Sequence, residues 1–293
     1  MQKIVPHLWF DKEASEAAEF YMSLFENSKL VSKTLLKDTP SGTAELLTIQ
    51  LAGQEFMLIS AGPYFKFTPA VSFMVACSTA EEVDALWNKL IDGGTALMPL
   101  DTYDFSARFG WLEDRFGLSW QIMVASEGEI AQKIKPFLMF VGDQCGKAEH
   151  AAEFYVSLFE NSKIESIMRY EEGWPPNQPG TVQQMEFMLE NQCFGAMDSA
   201  YEHSFAFNEA VSLVVHCETQ EEIDRYWAAL SAVPEAEQCG WLKDKYGLSW
   251  QIVPTVMNEM MAAEDTAQLE RVTQAFLKMK KFDIEALKQA AKG

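Results

Sequence analysis

The chain has 293 residues, with 43 acidic and 23 basic side chains that give a net charge of −20. A surface this acidic repels phosphate backbones and anionic lipids, so no nucleic-acid or membrane partner is expected. Five scattered cysteines without a C-x-x-C pair and an N-terminus without a signal-peptide core predict a reduced cytoplasmic protein.

Two stretches of the chain occur twice in the same order. Residues 110–122 (GWLEDRFGLSWQI) return as residues 240–252 (GWLKDKYGLSWQI). Residues 17–29 (AAEFYMSLFENSK) return as residues 151–163 (AAEFYVSLFENSK). Such matches indicate an internal duplication that covers about half the chain per copy.

The copies differ in length at two places. The second gains four residues near 142–146 and loses ten between 227 and 240, which shortens a loop or a strand. We therefore expect the second copy to be the more degenerate one. The repeat predicts one domain at 1–126, a second at 133–255 and a tail at 256–293.

Taken in order, the first copy reads as strand, helix and three strands, and then repeats that order. The assignment follows from helical spacing of apolar residues in two segments and from β-forming residues between turn signals elsewhere. The first set is a strand at 3–10, a helix at 12–25 and strands at 29–37, 44–51 and 55–60. The second set is a strand at 70–76, a helix capped by Ser78 or Thr79, and strands at 95–100, 105–112 and 118–124. Each copy is thus two βαβββ modules.

The tail has no counterpart in the first copy. Apolar residues at helical spacing predict one helix through Leu269, Val272, Phe276 and Met279, and a second short helix through Phe282, Ile284 and Leu287. We expect a helical strap packed on a domain or on a dimer partner. A regulatory or partner-binding helix is the alternative.

The repeated ending follows the pattern W-x-x-D-x-[FY]-G-x-x-W-Q-I. In the first copy it comprises Trp111, Asp114, Phe116, Gly117, Trp120 and Gln121. Paired βαβββ modules with this ending resemble the glyoxalase/bleomycin-resistance (vicinal oxygen chelate) superfamily. They resemble more closely its PhnB-like branch, many of whose members are labelled 3-demethylubiquinone methyltransferase. The resemblance implies an α+β fold in which each domain curls two modules into a half-barrel.

The resemblance also implies where metal-dependent members hold their ligands, on the first and last strands of each module. In the first copy these positions are His7, Met57 or Ile59, Ser72 and Gln121. In the second they are Phe137, Gly195 or Met197, Ser212 and Gln251. A divalent metal needs about three His or carboxylate donors, and the first copy supplies one. No cofactor is therefore expected, with His7 and Gln121 as weak candidates should a metal bind, and His7 is predicted to be packed and hydrogen-bonded within its strand.

The methyltransferase label predicts a glycine-rich turn after the first strand, where the backbone approaches a nucleotide-like methyl donor. Residues 10–13 (FDKE) follow that strand instead. The sequence thus supports the fold and not methyl transfer.

Other chemistry-bearing residues have structural interpretations. The position of Asp114 and Asp244 in a tight turn predicts hydrogen bonds to backbone amides. Cys77 and Cys217 occupy equivalent strand ends, which indicates packing. His150 lies on a helix beside acidic residues and is expected to be solvated.

An aromatic pocket is the remaining functional candidate. We predict that it is lined by His7, Trp9, Ser72, Tyr103, Phe105, Arg108, Trp111, Trp120 and Gln121. Such walls suit a small, flat, partly apolar ligand, although the same rings can simply fill a core. The prediction is a metal-free small-molecule binding protein, as a monomer or a homodimer, with no catalytic residue assigned. The alternatives are a superfamily enzyme (a metal-dependent lyase, isomerase or dioxygenase, or a methyltransferase) and a scaffold whose copies complete each other's sheets.

Overall fold

The computed structural model describes residues 2–125, 131–261 and 265–293. Its first half confirms the predicted order of elements. The first module contains β1 (Ile4–Phe10), α1 (Ala14–Leu24), β2 (Lys29–Thr39), β3 (Gly42–Leu51) and β4 (Gln54–Ser60). The second contains β5 (Val71–Cys77), α2 (Ala80–Leu90), β6 (Thr95–Tyr103), β7 (Ser106–Glu113) and β8 (Ser119–Val124).

The second half keeps this order in its third module and loses a strand in its fourth. The third contains β9 (Ile134–Val141), α3 (Ala148–Leu158), β10 (Lys163–Arg169), β11 (Val182–Leu189) and β12 (Gln192–Ser199). The fourth contains β13 (Val211–Cys217), α4 (Gln220–Leu230), β14 (Trp241–Lys243) and β15 (Ser249–Pro254). The ten-residue deletion removes the counterpart of β6, and the short 3-10 turn Pro234–Ala236 stands in that part of the module.

The described part of the tail, residues 256–261 and 265–293, forms three helices, one more than the sequence indicated. These are α5 (Val256–Met261), α6 (Thr266–Phe276) and α7 (Ile284–Lys292). Asp265 and Asp283 cap the last two by accepting hydrogen bonds from the backbone amides of Ala267 and Ala286. Helix α6 ends before Met279, so that residue belongs to the connection between the two helices.

The described strands form two sheets, and each sheet combines modules from both copies. One sheet has the order β14-β15-β13-β1-β4-β3-β2, and the other has the order β10-β11-β12-β9-β5-β8-β7-β6. In the first, β1 pairs antiparallel with β13, with His7 opposite Ser212. In the second, β5 pairs antiparallel with β9, with Ser72 opposite Phe137. The first module is therefore joined to the fourth, and the second to the third.

The compact units of the structure follow this pairing. Unit 1 comprises residues 1–66 and 208–293, and unit 2 comprises residues 67–207. The copies at 1–126 and 133–255 are thus a different division of the chain from the units, and the tail belongs to unit 1. Unit 2 joins two modules that are consecutive in the chain, and unit 1 joins the first module to the last.

Within each unit the helices cover one face of the sheet. Helix α1 buries Ala14, Ala17 and Tyr21 against strands β3 and β4. Because strand side chains alternate between faces, His7 and Met57 point to the opposite face. That open face carries the candidate site of unit 1.

The repeated turn between the last two strands of each copy is built around a buried aspartate. Asp114 accepts hydrogen bonds from the backbone amides of Phe116 and Leu118 and from the indole N–H of Trp120, at 2.8, 3.1 and 2.9 Å. Asp244 makes the equivalent three bonds in the second copy. The predicted role of both aspartates in the turn is confirmed, so the most conspicuous motif of the sequence serves folding.

Candidate functional site

The open face of unit 1 encloses a cavity of about 530 Å³. Its apolar lining comprises Val31, Leu36, Leu46, Met57, Ile59, Trp241 and Val253 from the sheet region and Met257, Met261, Phe276 and Phe282 from the tail. Its polar lining comprises His7, Ser32, Thr34, Thr48, Glu55, His216, Cys239, Gln251 and Asn258. A mostly apolar cavity with a few polar groups is the usual form of a small-molecule site.

The tail forms one wall of this cavity and is fastened to the sheet region by hydrogen bonds. The backbone amides of Cys239 and Gly240 donate to the carbonyls of Met279 and Lys280, at 2.8 and 2.7 Å. The hydroxyl of Thr34 on β2 donates to the carbonyl of Met261 at 3.3 Å. The tail therefore packs on its own chain, as one of the two predicted arrangements required.

His7 is the central polar group of the cavity. Its side chain is 2% exposed, and its ring meets Trp241 edge-on at a centroid distance of 5.4 Å. Burial lowers the pKa of His7 to about 3, so the imidazole is neutral at physiological pH. Its Nδ1 atom has no hydrogen-bond partner among the described residues. The predicted packing is confirmed, but the predicted hydrogen bond is not made at Nδ1.

His216 is a second neutral imidazole in the same lining, and the sequence did not single it out. It is 5% exposed, and its Nδ1 also has no partner within the described residues. Burial, followed by the positive charge of Lys3, lowers its pKa to about 4. The sequence could have indicated this position, because His216 and Ser212 are four residues apart on β13 and therefore lie on the same face of the sheet as His7.

The glutamine and serine of the implied ligand positions are bonded to each other. The amide nitrogen of Gln251 donates to the hydroxyl of Ser212 at 3.0 Å. Gln121 and Ser72 make the same bond at 2.8 Å in unit 2. The amide of each glutamine is thus used in holding β15 to β13, or β8 to β5.

The residues around His7 do not fit the metal site that the superfamily implies. In unit 1 the four implied positions are His7, Met57, Ser212 and Gln251, of which His7 alone is a good ligand for a divalent metal. Across the described part of the chain, no three His, Cys, Asp or Glu side chains come together as a metal-binding group. The donors at these positions are too few for a catalytic divalent metal.

The nine residues predicted for one pocket lie in two units. His7 and Trp9 belong to unit 1, and the other seven belong to unit 2. His7 lines the cavity, and Trp9 lies beside it, 6.0 Å from the ring of Trp241. The sequence predicted His7 and Gln121 in one pocket, but the glutamine that lines the cavity with His7 is Gln251.

The predicted residues of unit 2 have other partners. Trp120 is fully buried and bonded to Asp114. The Arg108 guanidinium pairs with Asp84 at 2.6 Å. Tyr103 stacks on Phe105, which is 58% exposed. Trp120 is therefore a core residue, Arg108 forms an ion pair, and Tyr103 and Phe105 form an aromatic cluster at the surface.

In unit 2 the position of His7 is occupied by a phenylalanine. Phe137 lies so close to Gly195 that a Cβ added at the glycine would be 2.3 Å from Cδ2 of the ring. In unit 1 the corresponding neighbours are His7 and Met57. The Phe137 ring in unit 2 thus fills the space that corresponds to the cavity wall at His7 and Met57 in unit 1.

A second cavity, of about 490 Å³, lies elsewhere in unit 2. It is lined by Gly142, Cys145, Gly146, Gln178, Thr181, Ala200, Tyr201, Glu202 and His203. The four-residue gain near 142–146 contributes to it. None of the nine predicted pocket residues belongs to its described lining.

The remaining sequence interpretations have clear outcomes. Cys77 and Cys217 are fully buried, and burial raises the pKa of their thiols to about 11 and about 12, so the packing role is confirmed. His150 is exposed, as expected. No helix among the described residues is long and apolar enough to cross a membrane.

Comparison with solved structures found similar folds. A putative 3-demethylubiquinone-9 3-methyltransferase, the PhnB protein from Bacillus cereus, is 43% identical, over 42% of this chain and 100% of that one, with a TM-score of 0.40. The E144Q glyoxalase I mutant from Zea mays is 10% identical, over 88% of this chain and 97% of that one, with a TM-score of 0.55. The latter likeness extends over both units and supports the fold alone. A search of curated proteins found no match.

A family model gives the assignment. The model described as 3-demethylubiquinone-9 3-methyltransferase matches residues 2–123 and again residues 132–253, the two copies recognised from the repeats. The matches cover most of the chain, and the chain therefore belongs to the family that this model describes.

Proposed function

We propose that this protein binds a small, largely apolar aromatic molecule in the cavity of unit 1, without a catalytic metal. The observation that carries the proposal is an apolar cavity that contains two buried, neutral imidazoles whose Nδ1 atoms have no partner among the described residues. Buried polar atoms are rarely left unpaired, and a ligand hydroxyl would satisfy one of them.

The size and walls of the cavity agree with such a ligand. Its volume of about 530 Å³ lies within the usual range for ligand pockets of roughly 300 to 1,000 Å³. Trp241, Phe276 and Phe282 supply aromatic walls, and Met57, Met257 and Met261 supply deformable ones. Methionine side chains adapt to irregular ligand shapes because they are unbranched and polarizable.

Methyl transfer, which the family description names, has no support from these residues. Strand β1 leads through Asp11, Lys12 and Glu13 into helix α1. This turn has no glycine that would let a methyl donor's phosphate or ribose groups approach the backbone. The neutral His7 could accept a proton from a ligand, but its lowered pKa makes it a weak base.

Calorimetry with the neutral probe naphthylmethanol tests the proposal. At a hundred times its dissociation constant, the probe should stabilise the protein by about 2.7 kcal/mol, a rise in Tm of a few degrees. Met261→Trp and Met257→Trp, which narrow the cavity from the tail, should each remove most of the rise. Met168→Trp, on an exposed residue of β10, should keep it.

Equal stabilisation of the wild type and both tail variants would overturn the proposal, because the probe would then bind elsewhere. Two independent variants guard against a folding defect in one of them. A cooperative transition without the probe shows that each variant is folded before its response is compared.

A further inference from the structure

The described lining of the unit 1 cavity has one charged side chain, and its charge is negative. The described lining contains one carboxylate, Glu55, and no lysine or arginine. The two histidines contribute no positive charge, because burial keeps both neutral. The whole chain carries a net charge of −20, which adds a field of the same sign.

Glu55 is held in place by its backbone and keeps its side chain available. Its backbone amide donates to the side-chain oxygen of Gln2 at 2.9 Å, and its carbonyl accepts from the Gln2 amide nitrogen at 3.3 Å. Its carboxylate has no ion-pair partner among the described residues. A half-buried carboxylate at the wall of an apolar cavity attracts a bound cation more strongly than a carboxylate in bulk water does, because the apolar wall screens the charge less.

The position of Glu55 places it near His7. Met57 is the neighbour of His7 on β4, and Glu55 lies two residues before it on the same face. Two residues along a strand span roughly 7 Å, so a ligand of two fused rings can reach both side chains. Trp241, Phe276 and Phe282 border the same cavity, and aromatic faces attract organic cations.

We infer that the unit 1 cavity selects a small aromatic amine in its protonated form, with the ammonium group at Glu55 and the rings against the aromatic wall. This inference rests on the proposed function and adds the charge of the ligand to it. A carboxylate of the same shape would meet Glu55 without a compensating cation and is rejected. The equivalent position in unit 2 is Cys193, so the charge is specific to unit 1.

Three probes that share one ring and differ in charge test the inference: naphthylmethylamine, naphthylmethanol and naphthoate. Titration calorimetry on the full chain at neutral pH should show the amine binding about tenfold more tightly than the alcohol. Naphthoate should bind more weakly than either. Glu55→Gln should bring the ratio of amine to alcohol affinity close to one.

The control variant Glu26→Gln removes the same charge from an exposed position of unit 1 and should keep the ratio of the wild type. If Glu26→Gln lowers the ratio as much as Glu55→Gln, the preference reflects net charge and the inference fails. Alcohol and amine binding with equal affinity to the wild type would also overturn it, while leaving the proposed function intact. If no probe binds, the proposed function fails with it.

Discussion

The open faces of the two units differ at equivalent positions of a shared framework. Unit 1 has His7 beside Met57, and unit 2 has Phe137 packed on Gly195. The equivalent tryptophans, Trp111 on β7 and Trp241 on β14, also differ in their hydrogen bonds. In unit 2 the Trp111 indole N–H donates to Ser119 Oγ at 2.8 Å.

In unit 1 the equivalent serine is left without that bond. Ser249 Oγ has no partner among the described residues, and the Trp241 ring instead contacts His7 and Trp9. The duplication preserved the aspartate turns and the hydrogen bond between glutamine and serine, while the residues at the positions of His7 and Met57 diverged. The open face of unit 1 borders an apolar cavity, and the Phe137 ring fills the equivalent position in unit 2.

The largest expected effect comes from what the units share. Asp244→Ala removes an acceptor of three buried hydrogen bonds and should cost about 4 kcal/mol of unfolding free energy. Asp114→Ala should cost a similar amount in unit 2. Chemical denaturation measures both. The exposed Asp92→Ala should change stability by less than about 0.5 kcal/mol, and an equally small loss at Asp244 would contradict the shared role.

The next largest effect is a dependence of stability on pH that arises from the two buried histidines of unit 1. His7 and His216 have folded pKa values of about 3 and about 4, below the ordinary 6.5. As pH falls below 6.5 the unfolded chain takes up the protons first, so stability is lost downward from there and the loss ends only near the folded pKa values. Each histidine should account for about 2 kcal/mol between pH 7 and pH 5.

Thermal unfolding of wild type and His7→Gln across that range measures the contribution of His7. The variant should lose about 2 kcal/mol less than the wild type on acidification. His150→Gln, at an exposed histidine, should retain the pH dependence of the wild type. Identical pH profiles for His7→Gln and the wild type would refute the buried neutral state.

A substitution in unit 2 tests how its face is filled. Gly195→Ala places a Cβ against the Phe137 ring and should cost about 1 to 3 kcal/mol, because the ring must shift. Adding Phe137→His, the residue of unit 1, should recover most of the loss. A full cost in the double variant would show that the ring is not the obstacle. Denaturant unfolding of the three proteins decides between these outcomes.

The smallest expected effect concerns metal. Protein purified without chelator should contain substoichiometric divalent metal, and His7→Ala should leave that content unchanged, because three of the four implied positions carry poor donors. Elemental analysis measures both samples. Loss of about one equivalent on the substitution would overturn the metal-free proposal and assign His7 as a ligand.

Several features of this fold followed from the residues alone. The repeated segments defined two copies, helical spacing and turn residues defined the βαβββ order, and the position of Asp114 before Gly117 defined the turn. All of these are local patterns, because hydrogen bonds and burial within a few residues produce them. For the same reason His7 was correctly expected to be buried in β1.

The tertiary structure decided which modules meet and what lies over the cavity. Strands β5 (VSFMVAC) and β13 (VSLVVHC) are nearly interchangeable in sequence, so local pattern cannot tell whether β1 pairs with one or the other. The tertiary structure pairs β1 with β13 and β13 with β15, which places His7 in one unit with Gln251 instead of Gln121. The contributions of His216, Met261 and Phe276 depend on contacts between segments far apart in the chain. Such contacts arise from the packing of complete elements, which no single stretch of sequence encodes.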